Sequence, residues 1–166
     1  HYFYTIPTEG YDNPTATLDE ASTSNAKLNC VSENYWLLSN VTGDVTVNIN
    51  AARKTVKVTA TAGTGYTIQD SEGNPIDVAT PYGDVYSFKV VPDEGYDVKV
   101  YVNGKQVNGT ENCYTTEALT EDAAITVQAA VKKCTITPPD ESDAYMFSMN
   151  GTKTVDYGSD ITFNVV

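Results

Sequence analysis

Histidine is all but absent from this 166-residue chain, which has one, at position 1. That leaves no internal imidazole to ligate a metal or to shuttle a proton, and no Gly-x-Ser-x-Gly elbow supplies a serine nucleophile. Cysteine is scarce as well. Cys30, Cys113 and Cys134 are an odd number, so they cannot all pair within one molecule, and no Cys-x-x-Cys spacing points to zinc. No apolar run approaches the roughly 18 residues that span a bilayer, and no stretch has the pattern of a signal peptide. Membrane insertion is therefore not expected, and export would require a targeting segment already removed. Basic residues are few, ten against 22 acidic, for a formal charge of −12. A field of that sign repels nucleic acid and anionic membranes, and its simplest reading is solubility.

The carboxylates do not assemble a site by spacing. Asp93 with Glu94, and Glu121 with Asp122, fall in turns, where solvated residues are the ordinary outcome. Asp93, Glu94 and Asp97, or Asp140, Glu141 and Asp143, are the candidates for calcium, and neither has EF-hand spacing. No catalytic residue, metal site or cofactor is expected.

What the chain has is strand material: twelve Tyr, one Trp and many Val and Thr. Val45, Val47 and Ile49 alternate with polar residues, as do Val56, Val58 and Ala60, then Tyr86, Phe88 and Val90, then Val98, Val100 and Val102. Each predicts a strand with one face buried. Tyr86 to Val102 reads as a strand pair hinged at Pro92 to Gly95. Asn103-Gly104 is the strongest hairpin signal, since both residues accept the positive φ of a type I′ turn. Lys105 to Val107 is expected to fold back on Val100 to Val102. Asn13 to Ala26 reads as a long polar loop with at most a helical turn at Leu18 to Ala21. Near the C-terminus, Tyr145 to Met149 and Ile161 to Val165 read as strands.

The chain also resembles itself. FYTIPTEGY (Phe3 to Tyr11) matches FKVVPDEGY (Phe88 to Tyr96) at five of nine positions, and YGSDITFNVV (Tyr157 to Val166) matches YGDVYSFKVV (Tyr82 to Val91) at five of ten. Tyr35 to Thr59 placed over Cys113 to Thr137 keeps Val47 on Ile125, Ile49 on Val127 and Val58 on Ile136. The shifts are 85 at the EGY turn (88 − 3), 78 in the middle (113 − 35) and 75 at the YG turn (157 − 82). Variation thus falls in loops while strands hold phase. The expected organisation is 1–52 as the second half of a module with its own insert, 53–131 as a complete module, and 132–166 as the first half of a third.

The order of motifs KTVKVTA, YGDVYSFKV, PDEGY, VKVYVNG and LTEDAAITV resembles the internalin B-type repeat of bacterial surface proteins. Two departures stand out: Ala129 where the closing strand of that family often has an aromatic, and the polar insert Asn13 to Ala26. The resemblance implies an extracellular, cell-surface location and neighbouring repeats as partners. The expected fold is all-β, built of small tandem Ig-like sandwiches, with a β-grasp arrangement as the alternative. The expected function is a non-enzymatic spacer or adhesive segment that contacts neighbouring repeats or like subunits and, as an adhesin, a host or cell-wall glycan or protein. Two other readings stay open: a carbohydrate-binding module, and a filament subunit completed head to tail by strand addition.

For the carbohydrate reading the candidate contacts are Tyr35 and Trp36, with Tyr2, Tyr4 and Tyr11 nearby. Adjacent strand residues face opposite ways, so one of Tyr35 and Trp36 is expected in the core, with Trp36 the structural anchor. Cys113 and Cys134 occupy positions that Tyr35 and Val56 hold in the register above, which predicts buried thiols; a Cys113–Cys134 disulfide is the alternative.

Overall fold

The computed structural model describes residues 1–138 and 151–163, and among them it is all-β, with no helix. In chain order the strands are β1 (Tyr2–Tyr4), β2 (Thr15–Leu18), β3 (Lys27–Ser32), β4 (Tyr35–Ser39), β5 (Val47–Asn50), β6 (Thr55–Ala60), β7 (Tyr66–Gln69) and β8 (Asp77–Pro81). They continue with β9 (Ser87–Pro92), β10 (Tyr96–Val102), β11 (Lys105–Val107), β12 (Cys113–Thr115), β13 (Ala123–Val131), β14 (Lys133–Ile136) and β15 (Lys153–Asp156). The chain forms two compact units that interleave along the sequence. One holds His1–Lys57, Ala79–Val85 and Glu117–Asp122; the other holds Val58–Val78, Tyr86–Thr116 and Ala123–Val166. Strands β6 and β8 contribute residues to both.

The first unit contains a three-stranded sheet in the order β1-β4-β3 and the two-stranded sheet β2-β5. Little of it is deeply buried: Thr5, Gly10, Pro14, Ala16, Val56, Thr80 and Leu119 are, and Ile49 is 50% exposed. The alternation at Val45 to Ile49 thus gives a strand from Val47, without the buried face expected of it. Part of the supposed loop Asn13 to Ala26 is strand as well. Thr15 to Leu18 pairs with Asn50 to Val47, and Ala16 is the side chain it buries. Beyond it, Asp19 accepts from the Ala21 amide at 2.8 Å, so the expected helical turn is a carboxylate-closed bend.

The second unit carries the deeper core. Strands of the order β11-β10-β13-β6-β8 form one sheet and β12-β9-β7 another. Phe88, Val90, Val58, Val100 and Ile125 are at most 2% exposed, and they come from both sheets. Each such side chain contributes about 1.5–3 kcal/mol by leaving water. The hairpin at Asn103-Gly104 is as expected, with φ of 49° and 78° and Val102 opposite Lys105. The stretch Tyr86 to Val102 is not a strand pair, however. Strand β9 lies in one sheet and β10 in the other, so the turn after Pro92 carries the chain between sheets. Alternation alone cannot distinguish a hairpin from such a corner, because both preserve the period of two.

Pairing registers match across distant segments. Tyr4, Phe3 and Tyr2 face Tyr35, Trp36 and Leu37; Lys89, Phe88 and Ser87 face Cys113, Tyr114 and Thr115. The offsets are 85 on one strand (89 − 4) and 78 on the other (113 − 35). Likewise Ala16 faces Ile49 as Val100 faces Val127, with Ala16 and Val100 both buried. At the C-terminus, residues 161–163 are not in a strand, against expectation, and the strand expected at Tyr145 to Met149 lies outside the described residues.

Candidate functional site

In the sheet β1-β4-β3, register places Tyr35 beside Tyr4 and one row from Tyr2. The three rings stack. Tyr4 and Tyr35 have centroids 4.4 Å apart at 20°, and Tyr2 and Tyr35 are 5.2 Å apart at 17°. Tyr35 is half-buried by its neighbours, while Tyr2 and Tyr4 remain 60% and 71% exposed. Loss of water around Tyr35, and then the phenols beside it, raise its hydroxyl above the usual tyrosine range.

Trp36 is on the opposite face, where it lies across from Phe3 and Cys30. Its Nε1 donates to Thr5 Oγ1 at 3.2 Å, and Thr5 is buried. The structural role expected of Trp36 therefore has a definite partner, but the division into one core and one exposed residue does not hold: both are half-buried, Tyr35 by stacking and Trp36 by packing. Tyr11 is not in the ladder; it forms an isolated bridge with Arg53. Of the candidate aromatics, the structure joins Tyr2, Tyr4 and Tyr35 and separates Trp36 and Tyr11 from them.

A second constellation occurs twice. Gly10, with φ of 82°, is buried under the ring of Tyr82; Gly95, with φ of 80°, is buried under the ring of Tyr157. A Cβ added at either would stand 2.9 Å from Cε1 of the covering ring and nearer still to Cδ1. The Tyr82 hydroxyl donates to Glu9 Oε1 at 2.7 Å, and the Tyr157 hydroxyl donates to Glu94 Oε1. One linking residue completes each arrangement. Lys54 N–H donates to the Gly10 carbonyl and Tyr82 N–H to the Lys54 carbonyl, both at 2.8 Å; Lys132 N–H donates to Gly95 and Tyr157 N–H to Lys132, again at 2.8 Å. Accepting carboxylates beside the phenols raise the Tyr82 and Tyr157 hydroxyls above their ordinary range. The EGY and YG signals read from sequence as separate turns thus meet at one place. Their common signal was present in the sequence: a glycine that must take positive φ, and a tyrosine with no strand face to fill.

The cysteines carry no site here. All three are free and exposed. Cys113 and Cys134 neither pair with each other nor fill a core, because Cys113 faces outward where Tyr35 does in the first sheet. Of the acidic clusters, Glu94 is engaged by Tyr157 and Asp97 lies 3.9 Å from the Lys132 ammonium. Among the described residues no group of three His, Cys, Asp or Glu is placed to hold a metal, and Asp140, Glu141 and Asp143 lie outside them.

Comparison with known protein families, with curated proteins and with solved structures finds no match to this chain.

Proposed function

We propose that the chain is a non-enzymatic, tandem-repeat segment of a bacterial surface protein, serving as a spacer between a cell and what it contacts. The observation that carries this reading is the twice-built joint. Gly10, Lys54 and Tyr82 recur as Gly95, Lys132 and Tyr157, at offsets of 85, 78 and 75, with the same three-way backbone bonding. Those are the offsets at which the sequence matches itself. A joint of this kind ties the end of one module to the start of the next through backbone and one ring, as arrays with nearest-neighbour contacts require. Shared register of the strand pairs supports modules of one architecture, and a buried set drawn from two sheets supports a small sandwich in the second unit. The motif order from KTVKVTA to LTEDAAITV supports the surface location.

The test is protease shaving of intact source cells. Peptides of this chain in the released fraction, ahead of cytoplasmic markers, are the expected result. Release only after lysis refutes the surface reading.

A further inference from the structure

We propose that the Tyr2–Tyr35–Tyr4 ladder is a binding site for a short, uncharged glycan. This goes beyond the spacer reading and does not depend on it. The chain contains its own control. Where the first sheet has Tyr2, Tyr4, Tyr35 and Leu37, the sheet β12-β9-β7 has Ser87, Lys89, Cys113 and Thr115 in the same pairing register. Ser87, Lys89, Cys113 and Thr115 are exposed, so this face looks to solvent in both places. The strands therefore form with polar residues here, and the tyrosines are not demanded by folding. Scattered exposed apolar residues need no explanation, but here three stacked rings make one contiguous aromatic surface on the solvent face.

Size and charge identify the occupant. Strands about 4.8 Å apart and a three-residue edge strand at about 3.3 Å per residue give a face of roughly 14 by 10 Å. That is on the order of 150 Å², far short of the roughly 800 Å² each partner contributes to a stable protein interface. A sugar oligomer needs no more. The cross-strand rows through the ladder are Tyr2–Leu37–Asn29 and Tyr4–Tyr35–Ser32, with no ionised group in either; Lys27 enters only in the next row, opposite Ser39. A neutral, hydroxylated ligand with apolar ring faces matches rings that carry phenol, amide and hydroxyl groups beside them. An anionic glycan would instead meet a chain of net charge −12.

The test is an array of neutral hexose oligosaccharides, drawn from host-type and bacterial cell-wall structures, with sialylated and sulfated glycans as charged controls. The expected result is binding to neutral members, about tenfold weaker or worse in Tyr4→Ala and Tyr35→Ala and kept in Trp36→Phe. Tyr4 is 71% exposed on an edge strand, so an unchanged melting curve for Tyr4→Ala would show that the loss is not unfolding. An independent arm builds the ladder a second time, with Ser87→Tyr, Lys89→Tyr and Cys113→Tyr together; titration calorimetry should then find two sites per chain in place of one. A flat array, binding to charged glycans only, or binding that Tyr4→Ala leaves intact overturns the proposal. So does a concentration-dependent mass in light scattering that Tyr4→Ala abolishes, since that would assign the face to a second copy of the chain.

Discussion

Replacing Gly95 by alanine tests the joint directly, because Gly104 provides a matched control in the same compact unit. Both glycines have left-handed backbone, φ of 80° and 78°. Alanine pays the same backbone cost at each, about 1–2 kcal/mol. Around Gly104 a Cβ would meet nothing within 4 Å, whereas at Gly95 it would clash with the Tyr157 ring. Displacing a packed ring adds about 1–3 kcal/mol. Gly95→Ala should therefore cost more than Gly104→Ala by that amount. The assay is native-state hydrogen exchange at the Lys132 amide, which donates to the Gly95 carbonyl and opens with the joint. Its exchange should run about 5- to 150-fold faster in Gly95→Ala than in Gly104→Ala, the factor that the ring term alone supplies. In a Tyr157→Ala background the ring is gone, and Gly95→Ala should lose its excess over the control. Equal effects of the two alanines on Lys132, or an undiminished effect after Tyr157→Ala, would refute the claim that ring coverage holds the joint.

Four further outcomes follow from the same geometry. The Tyr82 and Tyr157 hydroxyls have folded-state values raised above 10, so their contribution is fully present below pH 10 and is lost as pH climbs through the raised values. Tyr82→Phe with Tyr157→Phe should flatten that alkaline loss in a pH-dependent melting series. Asp70 is held below the usual carboxylate range, chiefly by the Asn74 amide, so the turn it closes should loosen only as pH falls below 3.8, and amide shifts of Glu72 and Asn74 should follow that titration. The Tyr86 hydroxyl is buried with no hydrogen-bond partner among the described residues, so Tyr86→Phe should raise stability by about 1 kcal/mol in urea unfolding, where most core substitutions lower it. Three thiols per chain should react with a disulfide reagent under native, non-reducing conditions, with no increase on denaturation.

Strand positions were largely legible in the sequence, because an alternation such as Val56, Val58, Ala60 has one physical solution. Which strands lie together was not. Phe88 and Val90 look inward in any arrangement, and nothing in their spacing tells that β9 and β10 part into different sheets. The short strand β2 escaped notice because Thr-Ala-Thr-Leu offers one small buried residue, Ala16, too weak a signal against its polar surroundings. The ladder was not legible because it crosses strands: Tyr35 and Trp36 are neighbours in the chain, but cross-strand register joins Tyr35 to Tyr2 and Tyr4. The cysteines misled for a related reason. Cys113 aligns with a bulky aromatic, yet that aromatic sits on the outer face, so bulk at a matched position did not mean burial.

The linking residue has a consequence for how such chains diversify. Lys54 and Lys132 make their joint hydrogen bonds through N–H and C=O, so those bonds do not depend on side-chain identity and bar only proline, which lacks the donor. The two flanking contacts need a glycine and a tyrosine. On the repeat reading proposed above, a genetic crossover that keeps that glycine and that tyrosine would therefore keep the junction. On that same reading, outer faces as different as Tyr2–Tyr4–Tyr35 and Ser87–Lys89–Cys113 would be exchangeable as whole cassettes, without redesign of the chain that carries them.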